Sequence, residues 1–132
     1  MASPIYHPVL LVVEDTEATR ELLYDIFSEE GYDVVLASDG RAALEVLADV
    51  QPALVTLDLE LPEIGGLQVL EYMRRHPPLR DIPVLIVSGL EPIPERARQL
   101  AQGVVQKPFQ IDELIASVER LAPPFGDSET TK

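Results

Sequence analysis

Four short apolar stretches of this sequence each run directly into a residue able to do chemistry. Glu14 and Asp15 follow Val9-Leu10-Leu11-Val12-Val13, and Asp58 follows Ala53-Leu54-Val55-Thr56-Leu57. Ser88 follows Val84-Leu85-Ile86-Val87, and Lys107 follows Val104-Val105-Gln106. If the fold gathers these ends, three carboxylates share one small site, which pushes at least one pKa up and is poor for stability unless a cation neutralises them. Oxygen-only ligands that leave room for water suit Mg²⁺ better than a transition metal. A hydroxyl and an ammonium beside such a metal and a free carboxylate oxygen suit phosphoryl transfer: the aspartate attacks phosphorus while metal and lysine neutralise the equatorial oxygens. Taken singly, each residue has a plainer reading. Glu14-Asp15 is as well explained as a helix N-cap as by a metal, Ser88 as a turn residue before Gly89, and Lys107 as a solvated lysine. At the ends of four separate strands, chance accounts for them poorly.

The elements that must position them are legible from length and pattern. The four stretches, with Val34-Val35-Leu36-Ala37, are too short for helices and rich in branched residues, and they read as parallel strands buried on both faces. Val104-Val105-Gln106 is the weakest and leans on the rhythm of the others. Between them lie helical periods. Ala18, Leu22, Leu23, Ile26 and Phe27 line one face, with Asp15 or Thr16 as N-cap and Gly31 as the stop. A second helix starts at Ser38 or Asp39 and carries Ala43, Leu44 and Leu47, and a third carries Leu67, Leu70 and Met73 and ends at His76-Pro77-Pro78. Pro92 and Pro94 shorten the fourth to about Glu95 to Gln102, and the fifth carries Ile111, Leu114, Ile115, Val118 and Ala122. Strand and helix alternate five times, so right-handed crossovers predict a doubly wound α/β fold with helices on both faces. In such sheets the site lies outside the carboxyl ends of the strands, where Glu14, Asp15, Asp58, Ser88 and Lys107 would emerge.

Composition bounds the rest. The 132 residues suffice for one core, and one domain over 1–122 with a flexible tail over 123–132 is expected. No run of apolar residues is long enough to span a bilayer and the start has no leader pattern, so a soluble cytoplasmic protein is expected. There is no cysteine, which excludes thiolate catalysis and Cys-ligated zinc. A net charge of −13 argues against direct nucleic-acid binding, which needs a basic patch. His7 and His76 lie away from the strand ends and read as surface imidazoles.

The set Val12-Val13-Glu14-Asp15, Leu57-Asp58-Leu59-Glu60-Leu61-Pro62 with Gly66, Ser88-Gly89 and Lys107-Pro108-Phe109 resembles the receiver domain of two-component response regulators, over roughly Val9 to Leu121. The resemblance implies a flavodoxin-like sheet of order 2-1-3-4-5, with Asp58 as phosphoryl acceptor. It implies Mg²⁺ held by Glu14, Asp15, Asp58 and the backbone carbonyl of Glu60, and Ser88 and Lys107 on phosphoryl oxygens, with a Lys107-Pro108 bond that is often cis. Gly66 would allow the turn after Asp58. A histidine kinase or phosphotransfer protein would donate the phosphoryl group, an unnamed protein would be the target, and a homodimer is left open.

The sequence departs from that pattern in three places. Val104 stands where an aromatic ring is usual three residues before the lysine; Lys107 comes 19 residues after Ser88, a few fewer than usual; and Gly65 replaces a common aspartate. Without a ring to turn, and with Val104 stiff at χ1, coupling is expected to pass through Ser88, Gly89 and the loop from Leu90 to Pro94. Two other functions fit fewer features. A small Mg²⁺-dependent phosphatase or phosphotransferase would want a cap domain and a second aspartate two residues after Asp58, where Glu60 stands, and a phosphorylation-independent scaffold would lack a site residue, whereas all are present.

Overall fold

A computed structural model describes residues 6–124. Five parallel strands, β1 (Val9–Val13), β2 (Asp33–Ala37), β3 (Leu54–Leu57), β4 (Val84–Ser88) and β5 (Gly103–Gln106), form one sheet in the order β2-β1-β3-β4-β5. Between and after them run α1 (Glu17–Glu29), α2 (Gly40–Asp49), α3 (Gly66–Arg75), α4 (Glu95–Leu100) and α5 (Ile111–Leu121), with a 3-10 turn at Pro77–Leu79. The expected doubly wound, flavodoxin-like α/β architecture is the one observed. From Phe125 onward the expected tail lies outside the described residues.

Alternation of side chains along each strand builds two cores. Leu11, Val13, Val55, Leu57, Val84 and Ile86 face α2, α3 and α4, whereas Leu10, Val12, Leu54, Leu85, Val87 and Val105 face α1 and α5. The three central strands are buried on both faces as expected, but β2 and β5 are edge strands and only partly so. Helix α1 also corrects the sequence reading. Its buried face is centred on Leu23 and Phe27, while Ala18 and Leu22 are exposed, Leu22 by 44%. Thr16 is its N-cap residue without a side-chain capping bond, and Gly31 ends it at φ 102°. Helix α2 has a full cap, Asp39 Oδ1 accepting Ala42 N–H at 2.8 Å. Helix α4 is six residues long, shorter than its sequence period, because it begins only after Pro94 and stops before the fifth strand. The fifth helix is as expected except that Ile111 is exposed.

Two glycines let the loop after β3 fold back on the sheet edge. A Cβ on Gly66 would stand 2.3 Å from Asp58 O and 2.6 Å from Leu59 Cα, and one on Gly40 would stand 2.4 Å from Ile64 O. These are backbone atoms, so neither site can relieve the clash by a rotamer change. Gly65, one residue earlier, has only Gln68 Oε1 at 3.9 Å in its way. Gly66→Ala is therefore expected to lower stability by about 1–3 kcal/mol, the usual range for overpacking a tight site. Gly65→Ala is expected to leave it nearly unchanged. Denaturant midpoints of the two variants check this; equal loss in both contradicts the close-approach account.

Candidate functional site

The sheet order places the carboxyl ends of β1 and β3 side by side. Asp58 N–H donates to Val13 O at 3.1 Å, which continues the ladder and brings the loop after β3 against Glu14 and Asp15. One ligand oxygen from each of Glu14, Asp15 and Asp58 lies within 4.8 Å of the others. Glu14 and Asp58 are 1% and 4% exposed, while Asp15 faces solvent. The site is thus two buried acids and one open one.

Lys107 enters from β5 and bonds both buried acids. Its Nζ donates to Glu14 Oε1 at 2.7 Å and to Asp58 Oδ2 at 2.9 Å. Burial pushes the Glu14 carboxyl up, against the hydrogen bond and charge of Lys107 that pull it down. Burial lowers the Lys107 ammonium, but its bonds to Glu14 and Asp58 and their charges outweigh this and hold it above the ordinary lysine value. Lys107 therefore stays charged at neutral pH. The Lys107-Pro108 peptide bond is cis, as the resemblance implied.

Backbone donors fix the acids in turn. Thr16 N–H donates to Glu14 Oε2 at 3.2 Å, and Glu60 N–H donates to Asp58 Oδ1 at 2.9 Å. Ser88 is fully buried, but its hydroxyl is turned to its own loop, where Oγ accepts Leu90 N–H at 3.2 Å. The structure thus gathers Glu14, Asp15, Asp58 and Lys107, brings the Glu60 backbone to Asp58, and bonds the Ser88 hydroxyl within its own loop. The histidines stay apart. His7 Nδ1 meets Gly31 O and His76 Nδ1 meets Tyr72 O.

Sequence reasoning missed three side chains, two that support this edge and one that clamps the opposite end of the sheet. Arg20 Nη1 donates to Glu14 O at 3.0 Å and to Asp15 O at 3.3 Å, holding the acid pair by its main chain. A cation near a helix N-terminus opposes the helix dipole, and that misfit was the available signal. Gln106 Nε2 donates to Leu90 O at 2.8 Å. Arg74 donates to Leu100 O, Arg80 O, Ile82 O and Gln102 Oε1, tying the end of α4 to α3 and the start of β4. Neither had a local spacing to betray it.

Three carboxylate oxygens around one point, one of them open to water, match the oxygen-only, partly hydrated shell that Mg²⁺ prefers. Beside them stands a fixed ammonium bonded to Asp58. That combination can accept a phosphoryl group and neutralise its oxygens.

Comparison with known proteins agrees. The chain matches the response regulator receiver domain over residues 10–119. It is 37% identical over 115 residues to the response regulator MprA of Mycolicibacterium vanbaalenii, covering 85% of this chain and 49% of that protein. To MprA of Mycobacterium avium it is 35% identical over 127 residues, covering 92% and 55%. The chain spans about half the length of the curated relatives it matches. Among solved structures, the response regulator TrrA of Thermotoga maritima, in complex with Mg²⁺ and BeF, superposes with a TM-score of 0.80 at 32% identity, over 86% of this chain and 98% of that one. The Francisella response regulator 1452 receiver domain superposes with a TM-score of 0.79 at 29% identity, over 86% and 95%. With the acids, the lysine and the sheet order all in place, the chain belongs to the response regulator receiver domain family.

Proposed function

We propose that this receiver domain, covering residues 1–122, takes a phosphoryl group onto Asp58 from a phosphohistidine of a sensor kinase or phosphotransfer protein. The observation that carries the reading is the Lys107 ammonium held within hydrogen-bond distance of both Glu14 and Asp58. An Asp58 oxygen attacks phosphorus, the P–N bond to the donor imidazole breaks, and the imidazole leaves with its electron pair. Lys107 then follows the charge onto a phosphoryl oxygen, and the Ser88 hydroxyl donates to another. Glu14, Asp15, Asp58 and the Glu60 carbonyl would hold Mg²⁺, which when bound supplies charge neutralisation to the oxygens in transfer. The domain is a signalling module rather than an enzyme acting on a separate substrate, and its phosphorylated form is read by a partner protein.

The chemistry requires no nucleic-acid contact, and the charge of −13 opposes one. Among the described residues no helix is long and apolar enough to cross a membrane, and the cytoplasm is the compartment we assign. A small-molecule phosphatase gains no support. A cleft of about 350 Å³ lined by Leu47, Val50, Tyr72, His76 and Leu79 lies at the C-terminal ends of α2 and α3, the opposite edge of the sheet from the acids.

Incubation with Mg²⁺ and acetyl phosphate is expected to add one phosphoryl group, read by intact-mass spectrometry, and Asp58→Asn is expected to take up none. Undiminished labelling of that variant moves the acceptor elsewhere. Mg²⁺ at a hundred times its dissociation constant is expected to stabilise the fold by about 2.7 kcal/mol. Thermal melting reads the gain, and Asp15→Asn should lose most of it; an equal gain in that variant places the ion at another site.

A further inference from the structure

The cleft at the far edge of the sheet from the acids has a chemistry of its own. Leu47, Val50 and Leu79 give it an apolar lining, and Asp49, Tyr72 and His76 bring polar groups to a space of about 350 Å³. That size and mixture suit a small ligand, whose sites are mostly apolar with a few placed polar groups. The phosphoryl site makes no use of it.

The polar groups on its α2 side are acceptors. Helix α2 ends at the cleft without a closing turn: Val50 is already extended, at φ −126° and ψ 136°, and its N–H donates to Val46 O at 2.9 Å. Among the described residues no main-chain N–H reaches the carbonyls of Leu47, Ala48 or Asp49. The negative pole of the helix is therefore left open there. Its last turn holds no basic residue, and its last residue is an acid, Asp49, which the helix dipole disfavours. Among the described residues no cationic side chain forms an ion pair with Asp49.

The α3 side adds another acceptor. His76 stacks on Tyr72 with ring centroids 3.6 Å apart and planes inclined by 22°, and its Nδ1 lies 2.7 Å from Tyr72 O. A carbonyl can only accept, so Nδ1 carries the ring proton and Nε2 of the neutral imidazole accepts. Tyr72 is still 38% exposed, so aromatic surface remains open beside it. Helix pole, carboxylate and Nε2 all call for donors, and the apolar lining calls for a hydrocarbon stem. A guanidinium answers each: it is always charged, spreads five N–H donors in a planar fork and stacks on aromatic rings, whereas an ammonium is a compact, strongly hydrated point charge.

We propose that this cleft binds an alkylguanidinium, its head shared between His76 Nε2 and the Asp49 end of α2 and its stem laid on Leu47, Val50 and Leu79. The same head group is carried by a free small molecule and by an arginine side chain of another protein.

The test uses N-butylguanidinium as the probe and N-butylurea as its uncharged counterpart, with binding to the full chain followed by backbone amide shifts at fixed ionic strength. Saturable shifts are expected at residues 47–51 and 72–79, with a dissociation constant on the order of 1 mM, as befits a ligand of so few atoms. N-butylurea is expected to bind at least about tenfold more weakly. Asp49→Asn is expected to weaken the guanidinium about threefold, as suits an exposed charge. His76→Phe keeps the stacked ring but loses the acceptor, and is expected to weaken it about tenfold. N-acetyl-arginine-N-methylamide separates the sources: tighter binding than the probe assigns the site to an arginine side chain, and weaker binding assigns it to a free guanidinium. Equal binding of the urea, or unchanged affinity in both variants, overturns the proposal. Shifts centred on Glu14, Asp15 and Asp58 overturn it as well, because they place the cation among the site acids instead.

Discussion

The Lys107 ammonium shared by Glu14 and Asp58 is the contact on which the rest of this edge depends. It joins residues 93 and 49 positions apart in sequence and ties the ends of β1 and β3 to β5. Two buried carboxylates without a cation would each cost several kcal/mol of desolvation that one main-chain donor apiece offsets only in part, so the pair requires a positive partner. The bond also constrains what lies between. β5 is two strand spacings from β3, about 10 Å, and the lysine must cross the end of β4 to reach the acids. At that crossing stand Ser88 and Gly89, two of the smallest residues. A Cβ on Gly89 would stand 3.8 Å from Lys107 Cβ and 3.6 Å from Glu60 Oε1, both ordinary contact distances.

Small residues therefore do at this edge what large ones do in the core. Gly66 lets the backbone of α3 touch the Asp58 carbonyl and Gly40 lets α2 meet the loop at Ile64, while Glu60 N–H reaches the Asp58 carboxylate two residues back. The acids are consequently fixed by main-chain donors and by a long lysine, while Asp15 alone is left free to meet solvent. On the β1 and β3 side each buried acid has a main-chain donor as well as Lys107, whereas on the β4 side the Ser88 hydroxyl accepts from Leu90 N–H at 3.2 Å.

Much of this was legible in the sequence because it depends on period and position. Branched runs of four or five residues marked four strands and their rhythm the fifth, and the residues after them included Glu14, Asp15, Asp58, Ser88 and Lys107. Departures arose where tertiary context competes with pattern. Helix α1 has apolar residues on more than one face, so Leu22 joined the expected core though the sheet selects the arc through Leu23 and Phe27. Edge position leaves β2 and β5 half open despite apolar runs like those of the centre. The Arg74 clamp and the Gln106–Leu90 bond span 26 and 16 residues respectively, and no local spacing encodes such pairs.

If Lys107 substitutes for a cation among the three carboxylates, then lysine and Mg²⁺ compete for the same charge, and removing the lysine deepens the negative potential that the ion meets. Calorimetric titration of Mg²⁺ into the wild-type protein and into Lys107→Met at fixed ionic strength measures this directly. The account predicts that the variant binds Mg²⁺ several-fold more tightly. Unchanged or weaker binding in the variant would contradict it and separate the lysine from the metal site.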